Sequence, residues 1–223
     1  MKAFKVDLDS SENQSILKSS TRCSNNQAHQ VNEAAKKIYE LIKDARYSND
    51  GIVLNHIKIR EAFFSPFKPQ LKNAQVFLSH SHADKNKALK VKGYLESETN
   101  HKVFVDSLFW DYKDDVLRKL AEYDDISGIE DAFTLILRES LEYMIKKCPY
   151  FVFLQSNNSV SNQGPSRITY SAWIYEELRI AHSISESRPI PMMESMQVFH
   201  DISPFLKSFE TITLKKLSQQ INS

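Results

Sequence analysis

Glycine is scarce in this chain: Gly51, Gly93, Gly128 and Gly164 are the only four in 223 residues. Four glycines so spaced compose neither GxGxxG nor GxxxxGK. A Rossmann dinucleotide turn and a phosphate-cradling P-loop are therefore excluded. Cysteine is scarcer still, with Cys23 and Cys148 alone. Two thiols make neither a disulfide framework nor a cysteine-rich zinc site, and free thiols in a reducing, cytoplasmic compartment are expected. No apolar run approaches the roughly 20 residues a membrane helix needs. Residues 1–10 are charged and lack the apolar stretch of a secretory signal. An excess of one charge is also missing. Lys and Arg number 29 against 28 Asp and Glu, a formal net charge of +1, which gives no electrostatic reason to expect nucleic acid or an anionic membrane as partner.

What is present suits a globular protein: 41% hydrophobic and 26% charged residues. The length allows one sizeable core, or one core with a small appendage. Residues 1–26, rich in Ser, Asn and charge, read as a flexible leader. Residues 27–47 carry a helical stripe of Val31, Ala34, Ala35, Ile38, Leu41, Ile42 and Ala45. It is capped by Asn25 or Asn26 and ended by a turn at Asn49-Asp50-Gly51. Residues 51–64 admit two readings, a short strand over 52–54 or a helix over 57–64. Pro66 and Pro69 then mark a boundary. The division expected is an N-terminal extension over 1–70 and an α/β domain over 71–223.

Within that domain the apolar runs 74–79, 101–106 and 150–154 read as strands buried on both faces. The last is the most apolar and so expected at the centre. Helices are expected after residue 85 and over 129–147. The acidic, aromatic stretch 107–128 reads as a long loop with a helical part over 116–123. Residues 155–170 read as a polar loop, 190–193 as a fourth strand, and 205–220 as a closing helix. Strands alternating with helices imply a parallel sheet covered on both faces. Such sheets bind ligands past the carboxyl ends of their strands. Ser79, His80, Ser81, Asp84, Asp106, Ser107, Ser156, Asn157, Trp173 and Glu177 all fall there.

Glu177 stands out among them. In a helix over 171–183, successive residues step by about 100°. Ile174, Leu178 and Ala181 fall on one side, and Trp173 and Ile180 widen that apolar arc. Glu177 lies inside the arc. Its neighbour Glu176 falls with Arg179 on the polar face. A carboxylate placed where a core belongs is costly unless it is paired or used. The bland alternative is a glutamate at the rim that reaches solvent. Three other chemistries are weaker. His80, His82 and His101 have no third ligand at a metal spacing, so no metal is expected. A Ser79 or Ser81, histidine and Asp106 triad lacks a GxSxG elbow. Asp106 as a receiver-type phosphoacceptor lacks the paired acids such a site needs.

Four stretches in order carry a resemblance. They are Val76-Phe77-Leu78-Ser79-His80-Ser81-x-x-Asp84-Lys85, Val103-Phe104-Val105-Asp106, the run from Leu137-Arg138 to Phe151-Val152-Phe153-Leu154-Gln155-Ser156, and Ser171-x-Trp173-x-x-x-Glu177-Leu178. Together they resemble the Toll/interleukin-1 receptor (TIR) domain of the bacterial kind over residues 74–195. The loop after Asp106 is longer than usual in that family, and an insert lies around Gly164-Pro165. The resemblance implies a flavodoxin-like fold. It implies cleavage of the nicotinamide–ribose bond of NAD to ADP-ribose or a cyclised relative, with NAD as substrate and no cofactor. Glu177 takes the catalytic role. Phe77, Ser79, His80, Ser81, Asp106, Ser171 and Trp173 are the residues it assigns to the substrate. It also implies defence against phage, a homo-oligomer in the active state, and a phage-derived or effector trigger. A non-enzymatic TIR interaction module and a nucleoside deoxyribosyltransferase-like enzyme are the alternatives.

Overall fold

In the computed structural model of the chain, the structure describes residues 1–20, 28–44, 46–48, 51–53, 55–64, 72–122, 130–163, 166–186 and 200–222. The first half runs β1 (Lys2–Asp7), α1 (Ser11–Ser19), α2 (Ala28–Lys43), β2 (Arg46–Ser48), β3 (Gly51–Val53), α3 (His56–Phe64), β4 (Ala74–Ser79), α4 (Lys85–Glu98) and β5 (Lys102–Val105). The second half runs α5 (Ser107–Leu120), α6 (Glu130–Lys147), β6 (Tyr150–Gln155), β7 (Ser161–Gln163), β8 (Ser166–Thr169), α7 (Ala172–Glu186), β9 (His200–Asp201), α8 (Ser203–Ser208), β10 (Glu210–Thr211) and α9 (Leu214–Asn222).

Five strands form one parallel sheet in the order β10-β1-β6-β4-β5. The three expected strands lie side by side in it, and β6 is central. Phe151, Val152, Phe153 and Leu154 are fully buried, which is why that run alternates nothing and is apolar throughout. Strand side chains alternate between faces. In-register residues put Phe77, Phe104, Phe151 and Phe153 on one face, where Phe77 stacks on Phe151 at 5.7 Å. Helices α7 and α8 cover that face, with Phe209 edge-on to Phe151. Helices α1, α4 and α9 pack on one another as the second layer. Asn13 ties that layer together: its amide donates to the Asp7 carbonyl, and its oxygen accepts the Leu214 N–H. From β4 the chain moves to β5 on one side, then returns to β6 on the other. The carboxyl end of β4 is therefore a switch point, the usual ligand position in open parallel sheets.

Several expectations are corrected. The leader does not exist as such over residues 1–20. Lys2–Asp7 is an interior strand, paired with Tyr150–Gln155 along its whole length, because Phe4 and Val6 need the burial that β6 and β10 provide. The division at residue 70 is replaced by two units. One comprises Met1–Ser24, Asn73–Ser107 and Leu141–Ser223; the other comprises Asn25–Lys72 and Leu108–Ser140. The second unit is thus built from two separated segments. It holds the antiparallel pair β2–β3, so both readings of residues 51–64 are realised, a strand and then a helix. Phe63 is its hub, with its ring against Phe64, Tyr112 and Phe133. Ala34, Ala35 and Ile38 of α2 are buried, as their stripe requires.

The stretch after Asp106 is not a loop but helix α5, which buries Tyr112, Val116, Leu117 and Leu120 on one stripe. The polar loop 155–170 contains the hairpin β7–β8, extended by β9. The closing helix is broken in two by β10, which adds to the sheet edge. The expected cap at Asn25 or Asn26, the Asn49-Asp50 turn, the strand 190–193 and the Gly164-Pro165 insert lie outside the described residues. Among the described residues no helix is long and apolar enough to cross a membrane.

Candidate functional site

Alternation places the first two groups. Ser79 follows Phe77 by two in β4, and Asp106 follows Phe104 by two at the end of β5. Both therefore point to the face covered by α7. Helix α7 starts at Ala172 because the Ser171 hydroxyl caps it, accepting the Ile174 N–H at 3.2 Å. Its apolar arc then meets the sheet: Ile174, Leu178 and Ala181 are buried. Glu177 rides in that arc and is 0% exposed. The reading from the sequence holds on this point, and the rim alternative does not.

Glu177 Oε2 accepts the Ser79 hydroxyl at 2.5 Å. Oε1 meets no donor with hydrogen-bond geometry among the described residues. Its neighbour is the Asp106 carboxyl, itself an acceptor. Two buried acids so placed can bond only when one keeps its proton. Burial first, and the charge of Asp106 second, hold the Glu177 carboxyl well above the usual carboxylate range. Asp106 is also raised by burial, against the pull of His80, of Glu177 and of the Ser107 N–H. That N–H donates to Asp106 Oδ1 at 2.7 Å. With donors on Asp106, the shared proton belongs on Glu177.

His80 completes the group. Its Nδ1 lies 3.4 Å from Asp106 Oδ1, and its Nε2 lies 3.1 Å from the Ser107 hydroxyl. A Ser–His–Asp order therefore does occur, through Ser107 and not through Ser79 or Ser81. Ser107 is buried, and the Nδ1 contact lacks hydrogen-bond geometry. This is a closed polar node rather than an activated nucleophile.

The remaining expected residues are placed otherwise. Phe77 is a core ring between Phe104 and Phe151. Ser81 is half-buried and starts the short 3-10 turn His82–Asp84. Ser171 serves as a helix cap. Trp173 is half-buried one turn before Glu177. Asp84 and Ser156 form a second cluster. The buried Asp84 carboxylate accepts the Ser156 hydroxyl, the Asn158 amide at 3.0 Å and the Lys87 ammonium at 3.3 Å. Asp9 joins it, accepting the Asn157 N–H at 3.1 Å and meeting Lys87 at 3.3 Å. Asp9 was missed because residues 1–26 read as a leader. Among the described residues no group of three or more His, Cys, Asp and Glu is arranged to hold a metal ion.

Compared with family models, with curated proteins and with solved structures, the chain matches none.

Proposed function

We propose that this protein is a bacterial TIR-type enzyme that cleaves the nicotinamide–ribose bond of NAD, with Glu177 as its catalytic carboxyl. One observation carries the reading. A wholly buried glutamate, anchored by one serine hydroxyl, stands at the switch point of a parallel sheet, with its second oxygen meeting no donor among the described residues. The four sequence stretches that resemble the family supply the substrate.

The geometry is compatible with this chemistry. Breaking this bond builds positive charge on the ribose, and nicotinamide leaves as a neutral molecule that needs no general acid. One carboxylate facing the developing cation is enough. At rest Glu177 keeps its proton, because burial and Asp106 disfavour its charge. A substrate bearing a cationic pyridinium ring reverses that balance: the shared proton passes to the Asp106 carboxylate and Glu177 ionises. The Ser79 hydroxyl then holds the carboxylate in place. In this scheme Asp106, with His80 and Ser107 behind it, is a positioning group that sets the protonation of Glu177. The product is ADP-ribose or its cyclised relative, and the active state is a homo-oligomer formed on a phage-derived or effector trigger in the cytoplasm.

A non-enzymatic interaction module is the second reading. It is favoured by the closure of the node, since Ser79, His80, Asp106, Ser107 and Glu177 are all buried.

The test is a chromatogram of NAD products from the pure protein, with and without an infected-cell lysate. Nicotinamide release is expected from the wild type and not from Glu177→Gln. Gln keeps the Ser79 bond and can donate its amide to Asp106, so it mimics the protonated acid and preserves the fold. Loss of one such electrostatic group costs about 10²–10³ in rate. Wild-type turnover in Glu177→Gln would remove the assignment. Silence of the wild type under every trigger would favour the interaction module.

A further inference from the structure

Two cations on the α8 side of the sheet have no carboxylate partner among the described residues. Lys5 lies on the interior strand β1, half-buried, and its ammonium donates to the Leu206 carbonyl of α8 at 2.5 Å. Arg167 of β8 donates to Gln155 Oε1 at 3.3 Å. Neither makes an ion pair among the described residues. The scaffold brings them together. The Arg167 carbonyl accepts the Ile202 N–H at 2.9 Å, and the Arg167 N–H donates to Ser203 Oγ at 2.8 Å, which docks β8 on the start of α8. Leu206, further along the same short helix, holds Lys5. Gln155 is in register with Asp7, two residues from Lys5 on the same face of β1.

Each acid nearby has one carboxylate oxygen engaged by a backbone N–H. Asp7 Oδ1 accepts the Asp9 N–H at 2.9 Å, and Asp201 Oδ1 accepts the Ser203 N–H at 2.9 Å. Burial, and then the like charge of Arg167, pull the Lys5 ammonium below its ordinary range. Like charges brought together on a partly desolvated surface without a counter-charge are unfavourable. An anion on them would reverse that cost, and paired Lys and Arg donors suit phosphate oxygens.

We propose that Lys5 and Arg167 form a binding site for the diphosphate of a nucleotide. That this nucleotide is the substrate of Glu177 rests on the function proposed above. The register gives the spacing. Thr211, Lys5, Phe153 and Ser79 form one row across β10, β1, β6 and β4. Lys5 is thus two strands from Ser79, about 10 Å at the usual strand separation.

The test uses inorganic pyrophosphate as the probe and the whole protein in titration calorimetry. Wild type is expected to bind it, more weakly as salt rises. Lys5→Gln and Arg167→Gln should each weaken binding at least about tenfold. Lys5→Arg should restore most of it, and the remote Lys146→Gln should change nothing. Melting temperatures identify any variant that fails to fold, and Lys5→Arg guards against that outcome at the interior strand. No binding of pyrophosphate by the wild type, or equal binding by Lys5→Gln, overturns the site. The two proposals fail separately. Lys5-dependent pyrophosphate binding in a protein that never cleaves NAD supports the anion site and removes the substrate assignment. NAD cleavage whose KM is unchanged in Lys5→Gln and Arg167→Gln overturns the inference and leaves Glu177 in its role.

Discussion

Two buried carboxylates stand just past the strand ends of one sheet, and they are treated in opposite ways. Asp84 accepts from a hydroxyl, an amide and an ammonium. Every partner is a donor, so the charge is compensated and the cluster welds α4 to the turn after β6. Among the described residues Glu177 has one donor, Ser79, and otherwise faces a second acid. A fully bonded buried charge is what a structural joint requires. A carboxyl left short of donors stores unfavourable energy that binding or catalysis can release. The contrast distinguishes a joint from a candidate site at one end of the same sheet.

The sharpest way to break the comparison is to remove each acid and read both properties. Asp84→Ala should lower stability by about 3 kcal/mol, since several hydrogen bonds to one buried charge are lost and their donors are left unpaired. Urea unfolding reads it directly. Glu177→Gln should lower NAD turnover and leave the urea midpoint undiminished. If Asp84→Ala is the milder of the two in stability, the assignment of joint and site is reversed.

The next effect is smaller and depends on pH. Glu177 holds its proton more tightly folded than unfolded, so the native state binds more protons. Stability from this group is complete below the ordinary glutamate range and declines as pH rises towards the raised folded value. Asp106 contributes with the same sign. Glu177→Gln removes the larger part of the decline. Its melting temperature, relative to wild type, should therefore rise between about pH 5 and pH 8. A difference that stays flat or falls across that window would show Glu177 ionised in the resting fold.

The comparison also marks what was legible in the sequence. Strands β4, β5 and β6 were, because two-sided burial leaves continuous apolar runs. Glu177 was, because a helix with a clean apolar arc makes one misplaced charge visible. Strand β1 was not. Lys2–Asp7 alternates buried and exposed residues over only six positions, and its partner Tyr150–Gln155 lies over a hundred residues away. Nothing local announces such a pairing. Lys5 and Asp9 were lost with it. Helix α5 could have been found: Tyr112, Val116, Leu117 and Leu120 follow helical spacing, but the acidic residues between them suggested a loop. The split of the polar residues into two clusters was beyond reach, since sequence order does not say which strand end faces which helix.

The smallest expected effect belongs to the neighbour of the key residue. Glu176 lies about 100° around α7 from Glu177 and pairs with Arg179, Oε1 to Nη2 at 2.6 Å and Oε2 to Nε at 2.8 Å. Their side chains are 14% and 16% exposed, respectively. The pair is bidentate, which favours it, and it joins residues one turn apart on a helix. Such pairs contribute up to about 1 kcal/mol. Glu176→Gln should therefore cost no more than about 1 kcal/mol in urea unfolding, with less loss in high salt. Turnover of NAD should stay near that of the wild type, because the charge removed faces away from the Ser79–Asp106 node. A drop in rate matching that of Glu177→Gln would mean that α7 presents its other face to the substrate, and the carboxyl assigned to the reaction would be the wrong one of the two.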